Sequence, residues 1–400
     1  MRYDLIVVGG GLVGLATAYK YSLKYPGHRI AVLEKERKWA FHQSGRNSGV
    51  IHSGIYYKPG SYKARNCVEG RKQLVEFCEE HDVAYEICGK IILATSQGEA
   101  DRLPGLLDRA KANGLDGVRQ IGPDEIREIE PFAEGPAALF VPQTGIVDYK
   151  GMASRMADLI RTRNTHNRLF LDHPVVDIKD SPEGKILITP SGEMKAAKVV
   201  FCTGLQSDRM ARLDGLKPEV HIVGFRGDYF DLTDSGKKKV RNLIYPVPNP
   251  TVPFLGVHFT RMYDGEVECG PNAVFSFKRE GYSRTAFDLH DTAAALAFAG
   301  TWRLFRSHWK FGLGEYQRAF SKSLFLKALQ GLIPSLESSD LKPGRSGVRA
   351  QALDKDGKMV DDFYWEEGKN SLHVINAPSP AATACLSIGD EIVDHLEKMN

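Results

Sequence analysis

Asp4-Leu-Ile-Val-Val-Gly-Gly-Gly-Leu-Val-Gly14 decides the fold of this 400-residue chain. It reads as a buried parallel strand, a tight turn and the start of a helix. Gly9, Gly11 and Gly14 form G-x-G-x-x-G. Gly9 permits the turn, Gly11 lets a pyrophosphate approach the backbone, and Gly14 lets the helix lie against the sheet. The N–H groups at that helix start favour an anion. A second strand, Arg29-Ile-Ala-Val-Leu-Glu34, puts Glu34 20 residues beyond Gly14. At that separation an acid accepts from a ribose hydroxyl. Together these features specify a dinucleotide-binding βαβ unit, though not which dinucleotide.

The rest of the chain favours FAD. No second G-x-G-x-x-G offers a nicotinamide nucleotide its own site. Instead Lys198-Val-Val-Phe-Cys-Thr-Gly-Leu-Gln-Ser207 reads as an apolar strand returning beside the first loop, ending at Thr203 and Gly204. Helical spacing of Leu74, Phe77 and Cys78 predicts a helix over 62–82, and a strand follows within 87–95. Segments 140–141 and 145–147 read as a strand pair, 152–163 as helix, and 175–178 with 186–188 as strands around a turn. Strands at 222–232, 254–260 and 266–270 precede helix over 284–333 and a strand-loop-helix at 371–399. The expected class is α/β. A discontinuous FAD-binding Rossmann-like domain (1–84, 146–219, 346–400) joins a substrate domain with a largely antiparallel sheet (85–145, 220–345).

Composition narrows the partners. With 53 basic and 50 acidic side chains, 42% apolar and 26% charged residues, the chain reads as a soluble globular protein. No basic block points to nucleic acid. The six cysteines form no C-x-x-C pair, so zinc-knuckle and thioredoxin readings fall, no metal site is expected, and the thiols are read as buried and reduced. Leu5 to Ala18 has the length of a signal core, but Asp4 precedes it and glycines interrupt it. A cytoplasmic location is expected, with peripheral contact on the inner membrane as a further reading. That reading rests on 301–330, where Arg303, Arg306, Lys310, Arg318, Lys322 and Lys327 stand against Glu315. Trp302, Phe305, Trp309, Phe311, Phe320 and Phe325 are interleaved with them. Such helices lie in a membrane interface, or are solvated basic faces whose aromatics pack inward. A membrane contact favours quinone over oxygen as the electron acceptor.

Longer blocks carry a resemblance over nearly the whole chain. They are Asn47-Ser-Gly-Val-Ile-His-Ser-Gly-Ile-Tyr-Tyr57, Phe225-Arg-Gly-Asp-Tyr229, Pro253-Phe-Leu-Gly-Val-His-Phe-Thr260, Gly270-Pro-Asn-Ala273, Phe277-Lys-Arg-Glu-Gly281, Gly347-Val-Arg-Ala-Gln351 and Asn376-Ala-Pro-Ser-Pro-Ala-Ala-Thr383. In that order they resemble the L-2-hydroxyglutarate oxidase/dehydrogenase family, within the FAD-dependent D-amino-acid-oxidase/glycine-oxidase superfamily. One departure is Thr383-Ala-Cys-Leu386, where the family more often carries small polar residues. The resemblance implies FAD, a 2-hydroxy dicarboxylic acid as substrate and 2-oxoglutarate as product. With it, the expected cofactor contacts become Gly9, Gly11, Leu12, Val13, Gly14, Glu34, Lys35, Ser44, Asn47, Ser48, Val176, Thr203, Gly204, Pro378, Ser379 and Ala381.

Oxidising such an alcohol requires that its carboxylate be held, its hydroxyl proton leave to a base, and its C2 hydrogen face the flavin. Arg349, in Gly347-Val-Arg349, resembles the glycine-x-arginine that relatives use on the substrate acid. A guanidinium fork suits that role. Either His52 or His258 is expected as the base, since histidine titrates near working pH. A second carboxylate needs a second cation, for which Arg226, Arg279 and Lys278 are expected; Tyr57 and Tyr56 can add hydrogen bonds. Two rivals stay open at this level. One is a sibling oxidase acting on an amino acid, an amine or glycerol 3-phosphate. The other is a protein that binds FAD for structure and serves an assembly or tRNA-modification partner. Oligomeric state and covalent attachment of the flavin are not set by the sequence.

Overall fold

The computed structural model describes residues 2–250 and 255–399. Pro253 and Phe254, at the start of one resemblance block and of the strand expected over 254–260, lie outside the described residues. The first sheet is built around Arg2–Val8. This strand pairs in parallel with Ile30–Leu33 on one side and Gly192–Phe201 on the other. Leu5, Ile6 and Val7 have no exposed surface, as a parallel strand covered on both faces requires. Arg168–Phe170 extends the sheet in parallel beyond Ile30–Leu33. The far end of Gly192–Phe201 pairs in parallel with Ser371–Asn376, while its start forms an antiparallel ribbon with Gly184–Thr189 and Asp177–Ser181.

Helix Leu12–Lys24 covers this sheet and packs tightly against the last helix, Cys385–Lys398. A Cβ on Gly389 would come within 2.9 Å of the Ala16 backbone, so the two helices nearly touch. Beginning, middle and end of the chain therefore share one apolar core, which includes Leu15, Val32, Met152, Val200, Leu372 and Ile392.

The second sheet is largely antiparallel, as expected. Its spine is His221–Leu232, paired along its length with Leu341–Leu353, so that Phe225 lies opposite Arg349. That long strand crosses the domain boundary expected at 346. Val267–Gly270, His258–Arg261 and Leu243–Pro246 continue outward from His221–Leu232. Leu243–Pro246 then pairs in parallel with Lys90–Ala94, which pairs antiparallel with Ala137–Val141. The two strands read from 140–141 and 145–147 both form, but not with each other. Gly145–Val147 pairs with Val50–Ile51 and Tyr85–Glu86 in a small third sheet. Local pattern marks a strand but does not choose its partner.

Leu289–Ala297, Ala299–Phe320 and Lys322–Gln330 supply the helices expected over 284–333. The long one, kinked at His308, is amphipathic in an inverted sense. Leu304, Glu315 and Ala319 are buried, yet Trp302, Trp309, Leu313 and Phe320 are 56%, 59%, 54% and 66% exposed. Their spacing puts these four on one solvent-facing stripe. Inward packing holds for Phe325, which is fully buried, and not for the tryptophans. All six cysteines are free thiols, four of them buried.

Candidate active site

A cavity of about 890 Å³ runs from the first glycine turn to Leu341–Leu353 of the second sheet. Its nucleotide end is shaped by backbone. Gly9 has φ +113°, a conformation that excludes most side chains. A Cβ there would meet Cys202 O at 2.3 Å, and one on Gly14 would meet Gly9 O at 2.0 Å. Helix Leu12–Lys24 has Gly11 as its N-cap, with no side chain of its own to cap it; Ser44 Oγ accepts from Leu12 N at 3.0 Å, and the leading residues Leu12, Val13 and Gly14 line the cavity. Such a start favours a pyrophosphate.

Glu34 is nearly buried and accepts from Gly10 N at 2.7 Å and from Glu36 N at 2.9 Å, one on each carboxylate oxygen. Each oxygen keeps capacity for a ribose hydroxyl. In the same wall Thr203 Oγ1 is buried with no hydrogen-bond partner among the described residues. A glycine cradle, an acid and an orphaned hydroxyl suit the adenosine diphosphate half of FAD.

Nearly every residue expected to hold the cofactor lies in this wall: Gly9, Gly11, Leu12, Val13, Gly14, Glu34, Lys35, Ser44, Asn47, Ser48, Thr203, Gly204, Pro378, Ser379 and Ala381. Val176 does not. It is 55% exposed, and its neighbour Val175 takes the wall position, because adjacent residues of an extended segment point to opposite sides. Lys35 is in the wall, with its ammonium held by Glu36 at 2.6 Å and Glu280 at 2.8 Å. Asn47 braces its own loop, donating to Ser44 O at 2.8 Å and accepting from Gly49 N at 2.9 Å.

At the other end the wall holds Arg349, His52 and His258 together with Tyr229 and Tyr245. The rings of Tyr245 and His258 are 4.0 Å apart. His258 Nδ1 lies 3.0 Å from Gly256 O. A carbonyl only accepts, so Nδ1 carries the proton and Nε2 keeps its lone pair. Burial, then a shift from Arg349 and Lys90, pushes the His258 imidazolium down to about 4. His52 is pushed down to about 3, first by burial and then by Lys90 and His258. Both rings are thus neutral near pH 7. The His52 backbone N–H donates to Thr383 Oγ1 at 3.0 Å, and that hydroxyl also bonds the Tyr149 hydroxyl at 3.0 Å. The C-terminal segment thereby fixes the His52 loop.

None of the contacts expected for a second carboxylate lines this cavity. Arg226, 4% exposed, forms two bonds to Asp228 at 2.9 and 3.2 Å and donates to Ser283 O at 2.8 Å. Arg279, 3% exposed, clamps Asp208 and donates to Leu205 O at 2.9 Å. Each guanidinium already has its anion, so neither reaches the cavity wall. Tyr57 is also outside the wall. Lys278 is absent from the wall as well.

Sequence reasoning missed Lys90, Lys63, Tyr245 and Thr383. Lys90 is 1% exposed, with its ammonium over the rings of Tyr56 at 4.6 Å and Tyr245 at 4.8 Å. Burial pushes its pKa down to about 7. Its signal was present: a lysine opens the otherwise apolar strand Lys90–Ala94.

Comparison with known proteins bears on the family and the fold. A profile of the family described as FAD dependent oxidoreductase matches residues 4–395. The chain is 46% identical over 395 residues to an L-2-hydroxyglutarate dehydrogenase of Indibacter alkaliphilus, covering 98% of each chain. It is 42% identical to the L-2-hydroxyglutarate dehydrogenase of Escherichia coli, covering 99% of this chain and 94% of that one. Among solved structures, the L-alpha-glycerophosphate oxidase of Mycoplasma pneumoniae with FAD bound superposes with a TM-score of 0.81 at 21% identity, covering 99% and 95% of the two chains. That last likeness is one of fold.

Proposed function

The chain belongs to the FAD dependent oxidoreductase family, and from that premise we propose that it oxidises L-2-hydroxyglutarate to 2-oxoglutarate. One observation carries the reading: a single cavity joins the dinucleotide turn to Arg349, His52 and His258. Full-length identity to enzymes named for that substrate supports it. FAD, when bound, supplies the acceptor for the C2 hydride. Gly9, Gly11, Gly14, Glu34 and Thr203 would hold its dinucleotide part.

The chain's own side chains do the rest. Arg349 grips the C1 carboxylate through paired charge-assisted bonds. His258 takes the hydroxyl proton on Nε2, because its other nitrogen is tied to Gly256 O. Its low pKa keeps it in the accepting form at neutral pH. His52 lines the same end of the cavity and helps to orient the hydroxyl.

The test is anaerobic mixing of the flavin-loaded protein with L-2-hydroxyglutarate, its D-enantiomer, malate, lactate and glycine. Rapid loss of flavin absorbance with the L-form alone is expected. Bleaching by another compound, with none by the L-form, sinks the substrate.

For the electron acceptor the reading is quinone, reached from a bilayer surface. The stripe Trp302, Trp309, Leu313 and Phe320 supports this, with exposed Arg306 and Lys310 beside it to meet anionic headgroups. Among the described residues no helix is long and apolar enough to cross a membrane. Sedimentation with anionic vesicles should carry the protein down, and replacing Trp302 and Trp309 by Gln should release it. Turnover with oxygen but no short-chain quinone removes the acceptor reading.

A further inference from the structure

A dicarboxylate needs a second cation, and Arg226 and Arg279 are both sealed in buried ion pairs away from the cavity. Other basic residues of the wall are also engaged. Lys35 is held by two glutamates beside the ribose acid, and Arg209 pairs with Asp291 at 2.6 Å. Arg46 lies 3.8 Å over the Tyr282 ring and donates to Ser346 O at 3.3 Å.

Lys63 is different. It lines the cavity from the first turn of helix Tyr62–Glu80, and its side chain is 11% exposed. Its carboxylate partner, Asp361 at 2.8 Å, is 97% exposed. A charge so fully in water is weakly held in an ion pair, so a second carboxylate can displace it at little cost. Lys63 Nζ is 5.7 Å from the Tyr57 ring. Cys67, one turn further along the same face of that helix, donates its thiol to His52 O at 3.3 Å. Lys63 therefore belongs to the end of the cavity where the hydroxy acid is oxidised.

We propose that Lys63 is the distal-carboxylate anchor, exchanging Asp361 for the C5 carboxylate and so selecting dicarboxylic over monocarboxylic 2-hydroxy acids. This rests on the hydroxy-acid reading above and names the residue that sets its substrate class. Arg349 then defines one end of the substrate and Lys63 the other, and an acid lacking the far carboxylate leaves Lys63 on Asp361.

The experiment compares L-2-hydroxyglutarate with L-2-hydroxypentanoate, which has the same carbon chain without the distal carboxylate, on wild type, K63M, K63R and D361N holoenzymes. K63M should lower kcat/KM for the dicarboxylate about 10- to 100-fold, chiefly through KM, while the monocarboxylate changes less than about twofold. K63R should recover part of the loss. D361N, which removes the competing carboxylate and leaves the lysine stem in place, should lower KM for the dicarboxylate a few-fold. An unchanged ratio between the two acids in K63M overturns the proposal. So does an equal loss on both acids together with a shifted flavin potential, which assigns Lys63 to the flavin. If wild type bleaches with neither acid, the hydroxy-acid reading itself falls, and Lys63 with it.

Discussion

The two ends of the cavity are built from different atoms. At the nucleotide end the working groups are mostly backbone: the turn at Gly9, the start of Leu12–Lys24, and the amides that Glu34 gathers. At the substrate end they are side chains: Arg349 from one strand of the second sheet, His258 from another, and His52 from a loop tied down by Thr383. A backbone site arises from residues close in sequence. The side-chain site instead depends on long-range strand pairing and on neighbours that tune each charge. The first should tolerate no added atom, and the second should tolerate substitution of its supports but not of its actors.

The harshest way to break the comparison is Gly9→Ala. The new methyl meets Cys202 O at 2.3 Å on a backbone with φ +113°. Both partners are main chain and cannot swing aside, so the expected cost exceeds about 3 kcal/mol. The variant should purify colourless or fail to fold, read from flavin absorbance per protein. At the other end, His258→Gln should keep its flavin and lose about 10²- to 10⁴-fold in kcat, as removal of a general base does. His52→Gln should lose less, because the carbonyl of Gly256 fixes the tautomer of His258, whereas among the described residues no hydrogen bond to the His52 ring does the same. A larger loss in H52Q, measured by flavin bleaching under single turnover, exchanges the two roles.

Arg279→Met sharpens the contrast from the opposite side. It leaves Asp208 buried with much of its counter-charge removed, although Arg212 and His221 remain within reach. The Arg279 guanidinium holds that carboxyl well below its usual range against burial, which raises it. Unfolding should become easier by about 3–5 kcal/mol, while kcat of the folded fraction stays near wild type. A loss of kcat with stability intact returns Arg279 to the substrate site.

This contrast also explains what was legible in the sequence. Gly9, Gly14 and Glu34 could be read because the constraint on each is local: a turn, a helix start and a strand end at fixed offsets. The strands of the second sheet were legible as strands, since alternation is local too. Their partners were not, and so 140–141 and 145–147 were joined although they lie in different sheets. Arg226 and Arg279 looked like anchors because aromatic residues flank them. Asp228, two residues along the same strand and on the same face, was in view as the partner of Arg226; nothing near Arg279 reveals Asp208, whose approach depends on tertiary packing. Lys63 was passed over for the converse reason: on an amphipathic helix a lysine reads as solvent-facing, and only the folded chain turns it inward. Trp302 and Trp309 stood out in the sequence, but only their exposure in the fold separates a solvent-facing stripe from a core.

The gentlest test concerns Lys90, a support of the side-chain end. Its ammonium depresses both histidines after burial has done so, and neither imidazole needs it for position. A base whose pKa is lowered stays neutral, and therefore active, above that pKa. The acid limb of kcat/KM should then lie well below 6.5, nearer the values of about 3 and about 4 held by His52 and His258. Lys90→Met removes the charge but keeps most of the stem, so the limb should move up by about half a unit to one unit, with the plateau rate nearly unchanged. Stability should move the other way. With its own pKa lowered to about 7 in the folded chain, Lys90 binds its proton more readily when unfolded. Wild type accordingly loses stability as pH falls from about 10.5 through about 7, and K90M should lack that slope and unfold at a higher temperature at pH 7. A limb that stays put while the unfolding slope disappears makes Lys90 a packing residue and leaves burial alone to keep the histidines neutral.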